Sequence, residues 1–152
     1  MATQSTSEQA DNPPDYDSIQ PRRAAIQCIR TPAAPEPPSG SSQAFKVNGT
    51  IYVAAQAANM PRGGHLAESI ASAERMIRNI EAILKAAGSG LDRIVKTTVY
   101  FTENMWVHLI DDFEALYKRI LPFAPPRTTV FVPRIGTKGN KQEIQMEVIA
   151  VE

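Results

Sequence analysis

Few side chains in this 152-residue sequence have both a type and a setting suited to chemistry. Arg127 opens the strand-like run Arg127-Thr128-Thr129-Val130, directly after two prolines. A guanidinium is a planar fork that can pair both oxygens of a carboxylate. Thr129 should share a strand face with it, since strand side chains alternate. Arginines at strand starts are ordinarily surface residues, so local pattern alone does not separate that reading from anion binding. Glu147 stands between Met146 and Val148 in another strand-like run. A carboxylate there faces solvent, pairs with a lysine or serves as a base toward water. Ser41 and Ser42 follow Gly40, but no Gly-x-Ser-x-Gly elbow and no matched His and Asp accompany them. They read as loop or pocket lining. His65 and His108 are isolated, without ligand partners at metal spacing. His65 reads as a solvent histidine, and Trp106 and His108 as packing or interface residues. Cys28 is the only cysteine and reads as a buried apolar residue. Residues 88–92 (GSGLD) read as a helix stop, because no Lys-Ser/Thr follows to make a phosphate loop.

These candidates must be positioned by regular elements. Ile70, Ala73, Ile77, Ile80 and Leu84 recur at helical spacing, with Glu74, Arg75, Arg78, Glu81 and Lys85 opposite. A helix is predicted over residues 67–87, stopped by Gly88. A second helix is predicted over 105–120, capped by Asn104, with Leu109, Phe113, Leu116, Tyr117 and Ile120 buried. Pro122, Pro125 and Pro126 end it. Strands are predicted over 24–30, 44–47, 51–55, 94–101, 128–132 and 144–151. Asn48-Gly49 favours the positive φ angles of a tight hairpin turn between two of them. Residues 136–141 (GTKGNK) read as a polar turn, and the proline-rich 31–40 as a loop. Residues 1–22 lack any apolar face and read as a disordered tail before one domain over 23–152. The order β, β, β, α, β, α, β, β predicts an α+β fold with two helices on one face of a mixed sheet. Val99, Tyr100 and Phe101, and Val148, Ile149 and Val151, are apolar at both parities. Both sheet faces should therefore be covered, the second by another copy of the chain.

Composition narrows the function. Lys+Arg and Asp+Glu are both 16, so no net charge draws the chain to nucleic acid or to an anionic membrane. One cysteine argues against a disulfide-built secreted domain. No apolar run reaches the roughly 20 residues that span a bilayer. Glu8, Asp11, Asp15 and Asp17 fit neither a signal peptide nor an acid-poor transit peptide, so the cytoplasm is expected.

The segments QAFKVNGTIYVAAQ (residues 43–56), NIEAILKAAG (79–88), IVKTTVYF (94–101), PPRTTV (125–130) and EIQMEVIAV (143–151), in this order, resemble the Rid/YjgF family. These are the reactive intermediate imine deaminases, formerly labelled endoribonuclease L-PSP. The resemblance implies a chorismate-mutase-like fold, a homotrimer, and clefts between subunits. There, enamine or imine acids are hydrolysed to keto acids and ammonia without metal or organic cofactor. It implies that Arg127 grips the substrate carboxylate and that Glu147 holds the water. Such an imine is already reactive, so positioning accounts for most of the catalysis.

The chain departs from the family pattern at several points. Ser41 stands where the family has a tyrosine, and Thr129 where it has a cysteine. Ala55-Gln56 replaces a Gly-Gln pair. Ser41, Gln56 and Thr129 are therefore expected to line a remodelled pocket. Two further readings follow: a tailoring enzyme for an unusual imine or enamine, and a carboxylate-binding regulatory module without turnover. An RNA-directed activity is disfavoured, for want of an aromatic-basic stripe or a His/Lys catalytic pair.

Overall fold

The structure, a computed structural model, describes residues 25–59, 66–103, 109–136 and 142–152. Six strands form one sheet: β1 (Gln27–Ile29), β2 (Ala44–Val47), β3 (Thr50–Asn59), β4 (Ile94–Thr102), β5 (Arg127–Val132) and β6 (Gln142–Val151). Their spatial order is β1-β2-β3-β6-β4-β5. Every neighbouring pair is antiparallel except β4 with β5. Helices α1 (Leu66–Ala86) and α2 (Ile110–Ile120) complete the α+β layer structure.

The local signals explain most of these boundaries. Val47 pairs with Thr50 across Asn48-Gly49, whose φ angles of 50° and 76° are both positive, as the tight turn requires. Helix α1 unwinds at Gly88 (φ 81°), where Ser89 N donates to Leu84 O and Gly88 N to Lys85 O. That paired pattern satisfies the last carbonyls through a left-handed glycine. Along α1, Ala73, Met76, Ile77, Ile80, Ile83 and Leu84 are fully buried. Along α2, Phe113, Leu116 and Tyr117 are buried. They pack on the sheet face made by Ile51, Val53, Val99, Phe101, Ile144, Met146 and Val148. Phe101 and Phe113 meet edge to face, ring centroids 5.1 Å apart.

Three elements differ most from expectation, and β6 also begins two residues earlier, at Gln142. Helix α2 starts at Ile110, with Leu109 (φ −133°) as N-cap and no side-chain cap bond, so the helix expected over 105–120 is interrupted at Leu109. Leu109 is itself buried, and Asp111 and Asp112 supply the acidic first turn that suits a helix N-terminus. The expected cap Asn104, with Trp106 and His108, lies outside the described residues. Strand β3 extends four residues past the expected end because it pairs along β6 as far as Asn59–Gln142, through register shifts. Strand β1 is only three residues long, since β2, its sole sheet neighbour, pairs with just Gln27, Cys28 and Ile29. Cys28 is exposed on it, which corrects its reading as a buried residue. Ile29, one position on, takes the inward place. The expected tail at 1–22, His65 and most of the turn at 136–141 also lie outside the described residues.

Among the described residues, no helix covers the second sheet face. Phe45 and Tyr52, paired across β2 and β3, are 44% and 49% exposed there, and Val151 is 39% exposed. Glu147 and Tyr100 belong to this open face, because Met146, Val148, Val99 and Phe101 beside them point to the helices.

Candidate functional site

Strand β5 is the sheet edge, and Arg127 is its first residue. Its partner on β4 is Thr97, which is buried beneath α2. Arg127 therefore projects on the helix side. There its NH2 nitrogen donates to Glu114 Oε1 at 2.6 Å, both side chains being about three-quarters covered (24% and 29% exposed). The guanidinium carbon lies 4.7 Å from the centre of the Tyr117 ring. Glu114 and Tyr117 are three residues apart on α2, so they share one face. The Tyr117 hydroxyl exchanges a 2.9 Å hydrogen bond with Thr97 Oγ1. Burial raises the Tyr117 hydroxyl above its ordinary pKa, against the opposing pull of the Thr97 bond and the Arg127 charge. Thr129, two residues along β5, faces the same side and is exposed.

Glu147 lies elsewhere. It pairs with Thr98 across β6 and β4 and projects on the open face. The Tyr100 hydroxyl donates to its Oε1 at 3.3 Å. Burial first, then the charge and hydrogen bond of Glu147, raise the Tyr100 hydroxyl, so it stays a protonated donor at neutral pH. A depression of about 180 Å³ lies beside Glu147, bordered by Tyr52, Lys96, Thr98 and Ile149. Lys96 Nζ donates to the Thr128 hydroxyl at the rim.

Ser41 and Gln56 do come together, in a larger cleft of about 510 Å³ with Pro38, Asn79 and Gln145. Gln56 is nearly buried and donates to Ala54 O at 3.3 Å. The neighbouring Gln43, fully buried, ties the proline-rich loop to β2: it accepts from Thr31 N at 2.7 Å and donates to the carbonyls of Thr31, Ala34 and Pro35. The cleft wall is thus rigidly connected to the sheet.

The model of the endoribonuclease L-PSP family matches residues 31–152. The chain belongs to that family. An Aquifex aeolicus RutC family protein is 31% identical over 125 residues, covering 82% of this chain and 98% of its own. The mouse protein named 2-iminobutanoate/2-iminopropanoate deaminase is 31% identical over 135 residues, covering 86% and 92%. The mitochondrial Mmf1 protein of Saccharomyces cerevisiae is 32% identical over 126 residues, covering 82% and 83%. The crystal structure of yeast Mmf1 superposes with a TM-score of 0.71 over 84% of this chain and 99% of that one. The family and the α+β fold expected from the sequence both hold. Among the described residues, no helix is long and apolar enough to cross a membrane.

As an L-PSP family chain, this one distributes its expected site residues over three places. The chain joins Ser41 to Gln56 and sets Thr129 on the face of Arg127, but it holds Arg127 and Glu147 on opposite sides of the sheet. Sequence reasoning passed over Glu114, Tyr117, Tyr100 and Lys96. The Glu114–Tyr117 spacing was available as an i, i+3 pair on a predicted helix. Tyr100 and Lys96 were available as alternate residues of the strand that carries Thr98.

Proposed function

We propose that the chain is a hydrolase that converts small enamine and imine acids to keto acids and ammonia, in clefts between copies of a homotrimer. The observation that carries this reading is Arg127, fixed at a sheet edge with donors to spare for a carboxylate. The deaminase name of the mouse relative supports the reaction class. Arg127 of one copy grips the substrate carboxylate. Glu147 of a neighbouring copy takes a proton from water as the oxygen bonds to the imine carbon. The same carboxyl returns that proton to nitrogen, giving a carbinolamine, and then carries the hydroxyl proton to the amino nitrogen as the C=O forms and the C–N bond breaks, leaving a keto acid and ammonia. The opposite facing of Arg127 and Glu147 within one chain supports a cleft shared by two copies. The exposed Phe45 and Tyr52 on the open face support association through that face. Ser41, Gln56 and Thr129 shape the pocket around the side chain of the substrate.

The test is ammonia and keto-acid release from enzymatically generated 2-aminoacrylate, comparing wild type with Arg127→Ala. Acceleration that disappears in the variant is the expected result. Equal acceleration by both removes Arg127 from the mechanism. No acceleration by a folded wild-type protein that still binds keto acids favours the carboxylate-binding module instead.

A further inference from the structure

A lone arginine at a sheet edge is a mobile anchor: its four-bond stem samples many rotamers, and an anion that binds it must first order it. In this chain that ordering is already done by α2. Glu114 Oε1 takes one N–H of the terminal nitrogen NH2 at 2.6 Å, and the Tyr117 ring lies beneath the guanidinium, 4.7 Å from its carbon. The ring is itself held in place. Tyr117 is buried and tied to the buried Thr97 at 2.9 Å, and Thr97 is in turn the β4 residue paired with Arg127. The loop of contacts Arg127–Tyr117–Thr97–β5 closes on itself.

A guanidinium has five N–H donors, and Glu114 engages one of them through a single oxygen. Among the described residues, one complete two-donor edge stays open. We propose that Glu114 and Tyr117 form a cradle that holds Arg127 in one orientation, making Glu114 the positioning residue of the carboxylate anchor. This rests on the reading of Arg127 as that anchor. It also has a consequence for selectivity. The carboxylate of Glu114 stays beside the bound anion, so the pocket takes singly charged acids and repels a second acidic group placed near the first.

The probe is 2-oxobutanoate, titrated calorimetrically into the full chain, with circular dichroism to verify folding. Glu114 is partly exposed on a helix surface, so its variants fold. Arg127→Ala abolishes saturable binding. Glu114→Ala weakens binding about tenfold or more, through lost orientation. Glu114→Gln, which keeps the shape and one acceptor, restores most of the affinity. Oxalacetate, with a second carboxylate, gains affinity relative to 2-oxobutanoate in Glu114→Gln. If Glu114→Ala binds as well as wild type or better while Arg127→Ala does not bind, the cradle is refuted and the anchor stands. If Arg127→Ala binds like wild type, the anchor reading falls and the cradle with it.

Discussion

Mixing two inactive variants restores activity if each cleft takes Arg127 and Glu147 from different copies. Arg127→Ala removes the proposed anchor, and Glu147→Gln keeps the shape while removing the proposed base. In one chain, β4 lies between β5 and β6, so the two backbones are two strand spacings apart, about 10 Å. Their side chains also leave opposite faces of the sheet. A substrate of a few heavy atoms cannot touch both. In a closed ring, each cleft would take Arg127 from one copy and Glu147 from the next. Mix the variants in equal amounts, unfold them and reassemble them at random. Each cleft then has an even chance of an intact arginine and an independent even chance of an intact glutamate. About one quarter of the clefts are complete. If both residues came from the same copy, none would be. The assay is ammonia release from 2-aminoacrylate by wild type, each variant and the refolded mixture. Each variant alone should retain about a hundredth of wild-type activity or less. Recovery to about a quarter of wild type supports the shared cleft. A mixture no more active than the average of the two variants refutes it.

Three further outcomes follow from the same geometry. Glu147→Gln lowers kcat about 10²- to 10⁴-fold while leaving the calorimetric Kd for 2-oxobutanoate unchanged; a parallel loss of affinity would reassign Glu147 to binding. Tyr117→Phe removes a hydroxyl bonded to Thr97 at 2.9 Å but keeps the ring under Arg127, and Thr97 retains Pro126 O at 3.4 Å. With no buried group orphaned, the cost is about 1 kcal/mol, or about 2–4 °C in Tm by thermal melting, with keto-acid affinity preserved. Hydrogen bonds from Lys85 and then Arg78 hold the Glu81 carboxyl below its ordinary pKa of 4.5. A lowered carboxyl pKa stabilises the fold above the unfolded value, and that contribution fades as pH falls through the folded one. Glu81→Gln therefore costs about 0.5 kcal/mol at neutral pH in urea unfolding, discounted for surface screening. The gap should begin to narrow as pH falls below the ordinary carboxylate value of 4.5 and close beneath the folded one, and a gap that widens in acid would contradict the assignment.

The parts of the fold that were legible are those written in neighbouring residues. Helix α1 falls within one residue of its expected span at each end, because its apolar stripe and Gly88 are both local. The hairpin at Asn48-Gly49 is legible for the same reason. The start of α2 is not, since it depends on where Leu109 meets the core. Cys28 was misread because burial averages for cysteine say nothing about which parity of a three-residue edge strand faces out.

The site follows the same division, and more sharply. Arg127 could be picked out by its flanking residues, and Thr129 placed beside it by alternation alone. Whether Glu147 could reach Arg127 depends on register. Thr97 pairs with Arg127 on one side and Val148 on the other, so Glu147 is aligned one residue off, with Thr98. One residue is half a strand repeat, and it sends the carboxylate through the sheet to the other face. No local pattern carries that offset, because two long-range pairings fix it together. Glu114 escaped notice for a related reason. On a predicted helix it is one of several charged residues, and only the docking of α2 beside the first residue of β5 distinguishes it from a solvated one. The proposed anchor is therefore readable in the sequence, whereas the residues that contact it and the proposed second copy depend on contacts between distant segments.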